Sequence, residues 1–140
     1  MKHILSILIL LFSITLAAQS KEHSGIYTLK LGEGEHVETT KLTLNPNGTF
    51  LFHFYDYREK GIPKERIKYG KGVWTSKGKL IFLSTIAKDI DESHVLDFNN
   101  SKARFETKSP RDRSNRNIKT SIRFYESDIF WMVGRTYLKE

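Results

Sequence analysis

The chain contains no cysteine. That absence removes a thiol nucleophile, a thiolate metal site, a redox pair and a disulfide framework, and it leaves no cysteine to carry a bacterial lipid. Small exported domains often lean on disulfides, so here a hydrophobic core must suffice by itself. Helical periodicity is missing too. Beyond Gly25 no apolar stripe of helical period lasts three turns, and the best short candidate, Ile86 to His94, supports at most one turn. The common catalytic signatures are also absent: no serine in a Gly-x-Ser-x-Gly setting, no His-Glu-x-x-His, no glycine-rich phosphate loop before a helix. An enzyme is therefore the minority reading, since only a constellation scattered through the fold would escape these signatures.

One apolar run stands out, Ile4 to Ile14, preceded by Lys2 and His3 and followed by Leu16-Ala17-Ala18-Gln19-Ser20. It is well short of the roughly 20 apolar residues of a spanning helix and includes Ser6 and Ser13. A basic start, an apolar middle and a small-residue end make a secretory signal. Residues 1–20 are thus expected to be cleaved after Ala18 or Ser20, leaving residues 21–140 as one exported domain, periplasmic or secreted, with no membrane anchor and monomeric. Without Lys2 the formal charge is +6, 22 basic residues against 16 acidic. In that compartment the excess points to lipid headgroups, surface polysaccharide or an acidic protein rather than nucleic acid, although plain solubility charge has the same look.

From Gly25 onward, short β-branched and aromatic runs are broken every 8 to 12 residues by Gly, Asn, Pro or Asp, the rhythm of an all-β sandwich or barrel. Nine strands are an upper count: 26–31, 37–44, 49–57, 66–75, 80–86, 95–98, 103–107, 118–125 and 129–137. Asn45-Pro46-Asn47-Gly48 predicts a tight hairpin turn, because Pro presets one dihedral and Asn-Gly supplies positive φ; Ser76-Lys77-Gly78-Lys79 predicts a second. In the third strand Phe50, Phe52 and Phe54 share one face, and Leu51, His53, Tyr55 and Tyr57 the other. Both faces are partly apolar, so this strand is expected to be covered on both sides or to line a cavity. Gly70 and Gly72 share a face with Trp74, which suggests a bulge or sharp bend. The run Ile129 to Val133, with Tyr137 and Leu138, reads as a closing strand. The fold class expected is all-β: a small antiparallel up-and-down barrel, or a strongly curled meander, of eight to nine strands.

The order Gly25-Ile26-Tyr27, Leu42-Thr43-Leu44 with Asn47-Gly48-Thr49-Phe50, Gly72-Val73-Trp74 and Leu80-Ile81-Phe82-Leu83 resembles small exported lipocalin-like bacterial barrels. The correspondence covers 25–83 and supports the fold more than a function. What it implies is a lipocalin-like β domain over 21–140, of a group thought to bind hydrophobic ligands or to sense envelope stress; no catalytic residue is carried over. True lipocalins place Gly-x-Trp near the first strand, whereas here it comes fourth.

Two sets of residues are candidates for binding. For a small apolar ligand inside a barrel they are Phe52, Phe54, Trp74, Phe82 and Trp131, whose rings would line one interior, although filling a core is their commoner use. For an acidic protein or anionic glycan of the envelope they are Arg111, Arg113 and Arg116, in the polar basic segment 108–117 read as an exposed loop. No metal site and no cofactor is expected. Asp89, Asp91, Glu92 and His94 form an acidic cluster, but counted from Asp89 the EF-hand positions for Gly and Glu hold His94 and Asn100. His36 would need His53 or His94 beside it to hold a transition metal, and no spacing brings them together. Tyr55 and Tyr57 near Arg58 could be called a nucleic-acid platform, against which export argues.

Overall fold

The computed structural model describes residues 22–140, so the signal reading of residues 1–20 lies outside the described residues. Eight strands run in chain order: β1 Gly25–Glu33, β2 His36–Leu44, β3 Thr49–Arg58, β4 Glu65–Lys77, β5 Leu80–Ser84, β6 Ser101–Glu106, β7 Ser121–Glu126 and β8 Thr136–Lys139. Each pairs antiparallel with the next, and β8 pairs with β1, so the sheet closes as an up-and-down barrel. Closure removes the edges that a curled meander would leave.

The alternation of the sequence sets the inside. Tyr27, Leu42, Leu44, Phe50, Phe52, Phe54, Trp74, Ile81, Leu83, Phe105, Ile122, Phe124 and Tyr137 all turn into one buried cluster. On β3 the opposite face is wet, with Leu51 51% exposed, so that strand is covered on one side only. The turn at 45–48 forms as expected: the Gly48 amide donates to the Asn45 carbonyl (3.1 Å) and Gly48 takes φ +86°. Gly78, at φ +59°, opens the two-residue turn between β4 and β5, where the first central residue must be positive.

Three expected strands differ. Val95–Phe98 is not a strand. β5 ends at Ser84 and pairs with only Val73–Lys77 of β4, so the crossover 85–100 lies beside the remaining half of β4. It touches β4 by one bridge, Tyr69 with His94, and by the Leu96 amide on the Tyr69 carbonyl (3.2 Å), then drops Leu96 and Phe98 into the barrel. A single 3-10 turn, Ala87–Asp89, opens it. The closing run 129–137 is split: Phe130–Met132 is a 3-10 turn and only Thr136–Lys139 enters the sheet. β7 begins at Ser121, three residues later than expected, because the basic loop extends to residue 120.

Gly70 and Gly72 also act differently. The β3–β4 ladder runs through both without a shift, and the barrel's irregularity sits instead at Lys102/Ala103, between β6 and β7. The glycines are small because other atoms occupy the space of their side chains: the Phe98 ring covers Gly70, and the Ser84 carbonyl presses on Gly72.

The topology sorts the connections between two ends. One end gathers the β1–β2 turn, the β3–β4 loop 59–64, the crossover and segment 127–135; the other gathers the turns at 45–48 and 78–79 and the basic loop 107–120.

Candidate functional site

At the first of these ends the inward alternation carries on after the apolar residues stop. Past Leu42 and Thr40, β2 points Glu38 inward; past Phe52 and Phe54, β3 points Asp56 inward; beyond Gly70, β4 places Lys68 and Arg66 there. Glu38 and Asp56 stand directly opposite each other in the ladder, an arrangement that destabilises a sheet unless both charges are met. Both are. Asp56, only 1% exposed, accepts from Arg66 Nε (2.9 Å) and, more closely, from Arg66 Nη2, with His36 Nε2 at 2.8 Å and Arg58 Nε at 3.3 Å. Glu38 is held by both terminal nitrogens of Arg135, which also lies over the Trp131 ring at 5.3 Å.

Segment 127–135 supplies the roof. The Trp131 ring sits 4.7 Å from Phe54 and 6.2 Å from Phe52, centre to centre, while Phe130 stands 82% exposed beside it. Together with Glu38, Asp56, Arg58, Arg66, Lys68 and Arg135, the rings of Phe54, Phe130 and Trp131 enclose a concavity of about 390 Å³, floored by the core and walled by charge. Four cations face two carboxylates. The Thr40 hydroxyl, on the inner face between Glu38 and Leu42, and the Tyr137 hydroxyl are buried without a hydrogen-bond partner among the described residues. Burial pushes the Tyr137 phenol well above its ordinary range; the nearby Arg135 opposes that rise and Glu38 adds to it.

Burial alone would raise the Asp56 carboxyl, but hydrogen bonds from Arg66 and His36 and the charges of Arg66 and Arg58 outweigh it, so its pKa falls below the usual range. A depressed carboxyl stabilises the fold above its unfolded pKa and loses that contribution as pH falls through the folded value. Asp56→Asn is expected to cost about 2 kcal/mol near neutrality, less than a fully buried pair because its cationic partners can rehydrate. Urea unfolding of both proteins checks this. The gap should be full above pH ~5 and close as pH drops below ~4.

Of the five aromatic candidates, the structure brings Phe52, Phe54 and Trp131 together at this mouth. Trp74 lies towards the other end, buried, its indole N–H donating to the Asn45 carbonyl at 2.9 Å and tying β4 to the 45–48 turn. Phe82 is not on the interior face at all: Ile81 and Leu83 take the inward positions of β5, which leaves its ring half-buried on the outer wall. Nor do the rings line an open lumen, because Phe98 fills the space between them, edge-to-face on Phe50 (5.0 Å) and Phe52 (4.9 Å).

Arg111, Arg113 and Arg116 are exposed in the loop at the opposite end. Arg116 pairs with Asp112 (3.2 Å) and Lys108 bonds the Ser114 carbonyl (2.6 Å), whereas the Arg111 and Arg113 guanidiniums have no ion-pair partner among the described residues. His36 is engaged by Asp56, while His53 stacks on Tyr69 (4.9 Å) with His94 beyond the same ring (6.0 Å). Asp91 accepts from His94 and Lys71 and so caps the crossover turn; no three potential metal ligands cluster among the described residues.

Sequence reasoning missed Asp56, Arg66, Lys68 and Arg135. The period of two, carried one step past Phe54, would have found Asp56. Two larger concavities lie on the outer wall: about 420 Å³ around His53, Tyr69 and His94, and about 520 Å³ around Arg104 and Arg123. The mouth is smaller but more enclosed, and it adjoins the core aromatics. Fold and mouth define a class, a small closed eight-stranded antiparallel barrel with a charged, aromatic-roofed opening. No protein-family model, curated protein or solved structure matches the chain.

Proposed function

We propose that this is an exported, non-enzymatic, lipocalin-like binding protein that takes a small, partly apolar ligand at the barrel mouth rather than in its packed lumen. The observation that carries the reading is Trp131, set on Phe54 next to the exposed Phe130 in a concavity within the size range of small-molecule sites. An exposed phenylalanine beside a half-buried tryptophan offers a ring or short chain two apolar faces. The basic, apolar, small-residue order of residues 1–20 supports export.

Titration with the fluorescent apolar probe N-phenyl-1-naphthylamine tests this. Phe130→Ala, whose exposed ring the fold does not need, and Trp131→Ala should each weaken binding about tenfold, the worth of one lost aromatic contact. Trp74→Phe should leave affinity unchanged. Wild-type affinity in both mouth variants would refute the reading.

A second reading rests on the unpaired Arg111 and Arg113 at the other end: a loop that docks an acidic envelope protein. Reversing Arg111, Arg113 and Arg116 to Glu should abolish a salt-sensitive complex without moving the unfolding midpoint. A complex that survives both the reversal and high salt rules this out.

A further inference from the structure

The outer wall of β5–β7 carries a feature the mouth does not explain. Arg104 on β6 and Arg123 on β7 are exact cross-strand partners, in one row with Leu80 of β5 and Thr136 of β8. Residues so placed have Cβ atoms about 5 Å apart, and like charges there destabilise the sheet. Lys102, two residues before Arg104 on the same outer face of β6, is bonded to Glu126 of β7 at 2.9 Å. Neither Arg104 nor Arg123 has an ion pair or side-chain hydrogen bond among the described residues. The register shift at Lys102/Ala103 leaves Tyr125 of β7, two residues from Arg123, without an opposite residue, and such irregularities re-aim the side chains beside them.

The two guanidiniums line the concavity of about 520 Å³ with Glu106, Leu80, the half-exposed Tyr125 ring and the bare backbone of Gly134. We infer that this groove is a binding site for a sugar acid, a uronic-acid residue of an anionic oligosaccharide. Two guanidinium forks present parallel N–H donors that match a carboxylate from both sides. Glu106 decides between anions. Its carboxylate repels doubly charged sulfate or phosphate more than a single carboxylate, and it accepts hydrogen bonds from hydroxyls that a bare anion lacks, so the groove suits a ligand that joins one carboxylate to several O–H groups. The Tyr125 ring gives the sugar's apolar face a surface to lie on. This site is independent of the mouth, and it sits on the stem of the hairpin whose tip is the basic loop.

The test is calorimetric titration of the protein with trimers of galacturonate and of mannuronate, with their methyl esters, and with sodium sulfate. At least one uronate trimer should bind, and its methyl ester, which keeps the shape and removes the charge, should bind at least about tenfold more weakly. Arg104→Gln with Arg123→Gln should lose that binding while the unfolding midpoint stays level or rises, because a like-charge pair has gone. Glu106→Gln should weaken the trimer and strengthen sulfate. The Arg111, Arg113 and Arg116 variant should bind the trimer as wild type does. Failure of both trimers to bind at millimolar concentration overturns the inference. So does a Glu106→Gln variant that binds trimer more tightly, or a loop variant that loses as much as the Arg104, Arg123 one, since either outcome reduces the site to general electrostatics.

Discussion

Phe98→Ala should lower stability by about 3–5 kcal/mol, the largest loss expected from any single truncation in this barrel. The side chain is fully buried, yet it comes from the crossover and not from a strand. Its ring meets Phe50 and Phe52 edge-to-face and lies where a Cβ on Gly70 would be, with Cδ2 3.1 Å from that position and Cε2 closer still. Removing it leaves a cavity that rigid strands on either side cannot close. Domains of this size hold about 5–15 kcal/mol in total, so the variant should still fold but with a much lower urea midpoint. Filling the space from the other side supplies the control. Gly70→Val should be damaging alone and should recover part of the loss when combined with Phe98→Ala, a coupling that a double-mutant cycle measures. A loss below about 1 kcal/mol for Phe98→Ala would mean that the crossover does not plug the barrel.

Gly72→Ala should cost about 3 kcal/mol, at the upper end for one added methyl group. The backbone at Gly72 is not in the left-handed region, so the penalty comes from packing alone. A Cβ there would stand 2.9 Å from Phe50 Cε1 and 3.1 Å from the Ser84 carbonyl carbon, with the Ser84 oxygen nearer still. A flexible side chain could give way. Backbone cannot, because Ser84 is the last residue of β5 and is paired with Val73. Relief therefore requires breaking the end of the β4–β5 ladder, which should appear as accelerated amide exchange across Val73–Lys77 and Leu80–Ser84. Exchange and urea midpoint both unchanged would show that the end of β5 can move away from Gly72 at little cost.

The mouth shows how far a pattern can be carried. Asp56 follows Phe54 by two residues, so a strict alternation puts it inside, and a carboxylate inside needs cations. Arg66 and Arg58 could then have been suspected from the hairpin that joins β3 to β4. Arg135 could not, because it lies 97 residues from Glu38 and reaches it only through a turn at 130–132 whose apolar residues look like strand. An apolar run of five residues does not say whether it is a strand or a single 3-10 turn. Trp74 turns inward but far from the mouth, and Phe82 faces outward, for related reasons. Alternation says that two residues share a face, but not how far along the barrel axis each lies, nor which face of β5 turns inward when Leu80, Ile81, Phe82 and Leu83 are all apolar.

By itself the sequence determined the all-β class, the antiparallel up-and-down order, the turns at 45–48 and 78–79, the shared face of Phe50, Phe52 and Phe54, and the exposed basic loop. Each follows from chemistry within a few residues: period-two alternation, positive-φ glycines, a run of like charge. Tertiary structure alone decided that the barrel closes, that the crossover fills it, that Trp131 roofs the mouth with Arg135 on Glu38, and that Arg104 faces Arg123 on the outer wall. Those are contacts between residues far apart in the chain, fixed by register and by competition for one interior volume, and no local pattern encodes either.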